Sequence, residues 1–242
     1  MKTLIAVVGA ATVVASADAG FLGFVASARN VGANTVIDIF AGVQNASDKF
    51  LNVYDLTSNG VFVQKAGLAT KTWKPDAAGF TSTRNTSDDS FMTAGTFSGG
   101  AYGGEFYAST NTNGDPNFTG TSWNATPASA AATSIPALAG WYTGDPTSVD
   151  NNAESLAGLV GRVDGTGASG ANFGIWVSHL VIAGNNKVIG LGGDFTFSAF
   201  ASIKDGVTGQ TSQGNSSFIV PAPGAIALVG VAGLAAGRRR RA

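Results

Sequence analysis

The sequence predicts an all-β chain, an antiparallel β-sandwich with a jelly roll among its forms. Three observations carry that expectation. Glycine supplies 34 of 242 residues and charged residues only 12%, a mix rich in turn formers and poor in the Glu and Lys that favour helices. Hydrophobic residues reach 44% and aromatics 10%, too apolar for a disordered chain. Strand-length runs of β-branched and aromatic residues recur, and no body segment repeats at helical spacing.

Taken in order, residues 35–43 read as a strand, Thr-Val-Ile-Asp-Ile-Phe-Ala-Gly-Val. Residues 50–56 follow the turn-like Asn45-Ala46-Ser47-Asp48, so the two runs are expected to form a hairpin. Residues 61–65 make a third strand, entered through Ser58-Asn59-Gly60. Weaker strands are expected at 90–97 and 105–109, around Gly99-Gly100. Residues 157–163 lead to the turn Asp164-Gly165. Residues 172–183 form a long apolar strand, and Gly184-Asn185-Asn186 turns into 187–191. In the last strand Phe195, Phe197, Ala199, Ala201 and Ile203 alternate with Thr196, Ser198, Phe200 and Ser202, the period of a sheet with one buried face. Residues 111–150 differ. With Pro116, Pro127, Pro136 and Pro146, they are a surface excursion or a set of irregular edge strands. The total is about nine or ten strands.

The ends follow other rules. Lys2 precedes an apolar run over 4–15, followed by Ala15-Ser16-Ala17 and Ala17-Asp18-Ala19. This is the layout of a secretory signal helix over 1–19, cleaved after Ala19 or, alternatively, after Ala17. At the other end Val220-Pro221-Ala222-Pro223-Gly224 leads into an apolar segment over 225–236. Gly237 and Arg238-Arg239-Arg240-Arg241 follow. The prolines suit neither helix nor central strand. The apolar segment suits a short transmembrane-type helix, and the arginines would stay on the cytoplasmic side. The expected division is 1–19 signal peptide, 20–217 β-rich exported domain and 218–242 tail, with Phe218, Ile219 and Val220 able to lengthen the apolar span.

Pro-x-Pro, an apolar helix and a terminal Arg cluster resemble the PEP-CTERM sorting signal of exported bacterial proteins. The resemblance covers 220–242. Pro221 and Pro223 match the prolines of the motif, and Ala222 stands where the family usually has Glu. The resemblance implies passage through the secretion translocon and transient anchoring in the inner membrane. An exosortase-type membrane protease would then recognise the tail. It implies a destination at the cell envelope, the cell surface or the extracellular matrix and its biofilm material, and extracellular polysaccharide as a partner.

The body offers little chemistry. Cysteine is absent, which removes thiol catalysis and Cys-ligated metals. Lys2, Arg238–Arg241 and Asp18 lie in the ends, so nine of the 14 basic and fourteen of the 15 acidic residues remain in the body. That balance argues against a nucleic-acid partner. His179 is the one histidine. Counted by twos it shares a face with Phe173, Ile175, Val177 and Val181, and no nucleophile motif accompanies it. Glu105 and Glu154 are the two glutamates. Paired carboxylates would suit a glycosidase, with Glu105 beside Phe106 and Tyr107, but an exposed strand residue is the simpler reading. Trp123, Trp141 and Tyr142 are candidates for a sugar-binding platform, with Trp73 and Tyr107 nearby in kind. Trp176 is expected in the core. Oxygen-rich loops at Asp88-Asp89, at Asp145 with Asp150 and Asn151-Asn152, and at Asp164 are candidates for structural calcium. No other cofactor is expected.

These readings lead to a non-enzymatic envelope or matrix protein with a structural or interaction role. A carbohydrate-binding module on extracellular polysaccharide is the alternative. A secreted glycoside hydrolase or lyase is the third possibility.

Overall fold

The computed structural model describes residues 20–65, 73, 84–95, 133–143, 147, 151, 153–184 and 194–221. These residues are all-β. Ten strands form two antiparallel sheets, and the one helical element lying wholly within the described residues is a 3-10 turn at Ala168–Gly170. The strands are β1 (Phe21–Val31), β2 (Asn34–Val43), β3 (Lys49–Ser58), β4 (Phe91–Met92), β5 (Ala139–Tyr142), β6 (Glu154–Ser155), β7 (Arg162–Asp164), β8 (Phe173–Ile182), β9 (Phe195–Lys204) and β10 (Thr211–Val220). The six-stranded sheet runs β4-β8-β2-β1-β7, with β6 also paired to β8. The four-stranded sheet runs β10-β9-β3-β5.

One hydrophobic core draws on both sheets. From the six-stranded sheet come Phe24, Ala26, Ile37, Ile39, Ile175 and Val177; from the other come Phe50, Val53, Trp141, Phe197, Ala201 and Phe218. Fully burying a side chain of this size stabilises by about 1.5–3 kcal/mol. β2 is buried along nearly its whole length, on both faces. Its odd residues enter the shared core. Phe40 joins a second cluster on the outer face with Val25, Phe91, Leu156 and Trp176.

The expected strands at 172–183 and 195–203 correspond to β8 and β9, and the alternation in β9 is the observed burial pattern. The expected hairpin of 35–43 with 50–56 does not form. β2 pairs with β1 and β8, whereas β3 pairs with β5 and β9. The Asn45–Asp48 turn exists, with Asp48 N donating to Asn45 O at 3.2 Å. It carries the chain from one sheet to the other. β2 instead makes its hairpin with β1, through a two-residue connection in which Gly32 has φ +59°, a conformation open to glycine.

Other segments are shorter than expected. Residues 61–65 are extended without a strand ladder, tied by Phe62 N to Thr133 O and Val63 N to Val181 O, both at 2.7 Å. Within 90–95 only Phe91–Met92 forms a strand, and 157–161 is a run of turns before β7. Of residues 111–150, β5 is an edge strand of the four-stranded sheet. The expected strands at 105–109 and 187–191, the signal segment 1–19 and the segment 225–236 lie outside the described residues. Among the described residues no helix is long and apolar enough to cross a membrane.

β10 runs past the expected boundary at 217/218. Thr211–Val220 pairs with β9 along its full length, from Thr211 with Lys204 to Val220 with Phe195. Phe218 and Val220 are buried in the shared core, and Phe218 stacks on Phe197 with centroids 5.2 Å apart. Ser216 is buried on the same side. Its Oγ accepts from Phe24 N at 3.0 Å and donates to Thr166 O at 2.9 Å. Phe218 and Val220 are therefore core residues of the sheet, and Ile219, 55% exposed, is its outward-facing neighbour. Replacing Phe218 with Ala should cost about 3–5 kcal/mol in urea unfolding. Ile219→Ala should stay within about 0.5 kcal/mol. Equal effects at the two positions would contradict this placement of β10.

Candidate functional site

The outer face of the six-stranded sheet holds the charged cluster. A β-bulge creates it. In the β2–β8 ladder Ile39 faces Ser178 and Phe40 faces Trp176, which leaves Val177 as the extra residue. An inserted residue reverses the alternation of side chains beyond it. Ile175 and Val177 point into the shared core before the bulge; after it Leu180 and Ile182 do. His179 therefore does not share the face of Ile175 and Val177. It sits on the outer face beside Trp176, whose ring centroid is 5.9 Å away, and stacks on Phe91 at 4.8 Å.

Four cross-strand neighbours make one row on that face: Ser27, Asp38, His179 and Phe91. Asp38 and His179 have no exposed surface. His179 Nδ1 lies 2.6 Å from Asp38 Oδ1, and His179 Nε2 lies 2.9 Å from Thr86 O. Asp38 Oδ2 takes an ion pair from Arg29. Arg29 also donates to Arg84 O. Arg84 in turn pairs with Glu154 and lies over the rings of Phe40 and Trp176, at 5.2 and 5.8 Å from their centroids. Burial pushes the Glu154 carboxyl above the usual range, opposed by the Arg84 guanidinium beside it.

Asp89 lies close by. Its carboxyl is pushed up to about 7, chiefly by burial and further by Asp88. The Lys65 N–H bond, His179 and the Lys65 ammonium oppose that shift. Asp89 Oδ1 accepts from Lys65 N at 3.0 Å, and Oδ2 has no hydrogen-bond partner among the described residues.

A pocket of about 320 Å³ opens beside this cluster, lined by Ser27, Arg29, Arg84, Asn85, Ser155 and the turn 157–160. Gly161 anchors that turn. With φ +60°, it packs so close to Ala28 O that a Cβ would collide with it. His179 does not open into the pocket. Its ring is buried and Nε2 faces a backbone carbonyl, so no free nitrogen is presented to a reacting hydroxyl or water.

The sequence-predicted residues are scattered. Trp141 is a correction: it is fully buried, with Nε1 donating to Thr93 O at 3.1 Å, so no face of its ring is open to a sugar. Trp73 and Trp176 are buried as well. Tyr142 is half-buried and pairs across β3–β5 with Asn52. Val220 ends β10 and Pro221 follows it. Ala17, Ala19, Glu105, Tyr107, Trp123, Ala222, Pro223, Gly224 and Arg238 to Arg241 lie outside the described residues.

The calcium candidates are engaged otherwise where they are described. Asn151 caps Phe50, accepting from its N–H at 3.0 Å and donating to its carbonyl at 2.7 Å. Asp164 accepts from Arg162 Nε at 2.7 Å. Among the described residues no group of three or more His, Cys, Asp or Glu side chains gathers. Asp145, Asp150 and Asn152 lie outside them.

Sequence reasoning missed Asp38, Arg29 and Arg84 as a set. The available signal was one ionisable residue in each of two otherwise apolar strands, Asp38 in β2 and His179 in β8, since buried charges are paired. Comparison with protein-family models, curated proteins and solved structures found no match.

Asp89 generates a pH prediction. Between 3.8 and about 7 the folded chain keeps a proton that the unfolded chain releases. Its contribution to stability is therefore full below 3.8, falls as pH rises through that window, and is gone above it. In urea unfolding, Asp89→Asn should gain on wild type between about pH 5 and about pH 8. A wild-type-to-variant difference that is the same at both values would refute the assignment.

Proposed function

We propose that the chain is an exported protein of the bacterial cell envelope or extracellular matrix, sorted through its tail by an exosortase-type protease. In this reading the two sheets pack as a sandwich with a structural or interaction role and no catalysis. One observation carries it. The first strand starts at Phe21, just after the expected cleavage point at Ala19, and the last strand ends at Val220, against Pro221. The expected cleavage point after Ala19 and Pro221 of the tail motif thus fall just outside the strands. A protease needs an extended segment free of sheet pairing, and Pro221 cannot donate to a ladder.

Intact mass of the protein from its native host tests this. The expected mass begins at Gly20 or Asp18 and ends within 220–224, with or without an adduct. A mass running through Ala242 would refute tail processing.

The carbohydrate-binding alternative has its own support, on residues other than tryptophan. On the outer face of the four-stranded sheet Tyr54 and Phe200 are cross-strand neighbours, stacked at 5.2 Å and 17°. Tyr142 and Asn52 lie on the adjacent rung. Tyr54 Oη is 3.5 Å from Gln213 Oε1. Aromatic faces beside amides and hydroxyls suit sugar CH groups and their hydroxyls. Phe200→Ser should abolish retention on the glycan that the wild type selects from a panel. Undiminished retention, or none on any glycan by the wild type, would count against this reading.

A further inference from the structure

We propose that the pocket on the outer face of the six-stranded sheet binds a small organic carboxylate, its charged end on Arg29 and Arg84 and its apolar body on Leu159 and Val160. Two ion pairs, Arg29 with Asp38 and Arg84 with Glu154, stand at an open cavity of about 320 Å³, and both arginines line it. Two guanidiniums at the wall disfavour a metal cation.

The guanidiniums are also held in place before any ligand arrives. Arg29 is fixed by Asp38 and by Arg84 O. Arg84 is fixed by Glu154 and by the Phe40 and Trp176 rings beneath it. Positioned groups spare the ordering cost that binding otherwise incurs. A guanidinium carries five N–H donors in a fork that fits a carboxylate. Among the described residues the bonds of Arg84 use Nη2 and those of Arg29 use Nη1 and Nη2, so donors remain on both.

Apolar residues line the same cavity. Ala157, Leu159 and Val160 are among them, and Val160 is 66% exposed. Arginines and exposed apolar side chains at one cavity offer a polar and an apolar contact together, the pattern of a small-molecule site. The inference concerns this pocket alone and stands whether or not the chain is exported.

The test is NMR titration of the 15N-labelled full-length chain at low ionic strength, with sodium benzoate as the probe and with benzyl alcohol and sodium sulfate as controls. Benzoate should shift the Arg29 and Arg84 Nε signals and the amides of 158–160 saturably, and benzyl alcohol should not. Sulfate should bind at least about tenfold more weakly, having no apolar body to place. Arg84→Gln should weaken benzoate by about tenfold or more. Val160→Asp, at an exposed position that leaves the core intact, should do the same by placing a negative charge among the apolar lining residues. No saturation by benzoate, wild-type affinity in Val160→Asp, or sulfate binding as tightly as benzoate would overturn the proposal.

Discussion

Asp38 sits in the middle of β2 with no exposed surface, flanked by Ile37 and Ile39. A lone carboxylate there would cost several kcal/mol, and the cost is offset only when partners supply charge and hydrogen bonds together. Asp38 has both, from His179 on one oxygen and Arg29 on the other. The partners reach further. His179 bonds Thr86 O, Arg29 bonds Arg84 O, and Phe91 stacks on the imidazole. One buried carboxylate therefore gathers β1, β2, β8 and the segment 84–92 on one face. Removing either partner would leave a buried charge with half its compensation, a larger loss than most single contacts in the molecule.

The bulge at Val177 is what allows this. On a regular β8, His179 would follow Ile175 and Val177 into the shared hydrophobic core. The extra residue moves His179 to the face that holds Asp38 and lets Leu180 and Ile182 take over the core positions. The register shift thus serves both faces at once. The apolar face keeps its packing, and the polar face receives its one titratable ring.

The strands most legible in the sequence were those with a sustained pattern. β9 alternates along its length, and β8 is an apolar run of strand length. β1 and β10 were not recognised, for different reasons. β10 carries Ser, Gln, Gly and Asn on both of its sides over most of its length, the buried Ser216 included, and only Phe218 and Val220 near its end mark the buried face with apolar side chains. In β1 the alternation is masked because both sides are buried at Phe24, Val25 and Ala26. The assignment of β2 and β3 to one hairpin failed because a turn specifies a reversal of direction. It does not specify which sheet the next strand joins. The cluster was harder still. Arg84 lies 55 residues from Arg29, and no spacing rule links an isolated Arg in a polar segment to an isolated Asp in an apolar strand.

The His179–Asp38 pair has the hydrogen-bonded form that hydrolases use to orient a base, which makes its surroundings decisive. In such enzymes the second ring nitrogen faces a nucleophile; here it faces Thr86 O, and the ring lies under Phe91 and Trp176. What reaches solvent is the arginine side of the network, Arg29 and Arg84 at the pocket wall. The pair holds the Arg29 guanidinium directly, Glu154 holds that of Arg84, and the pair turns no ring nitrogen toward the cavity. In the proposed binding mode the guanidiniums that stabilise the outer face are also those offered to a ligand. Substitutions that loosen the Asp38 row would therefore weaken folding and carboxylate binding together, whereas Val160, outside that row, separates the two.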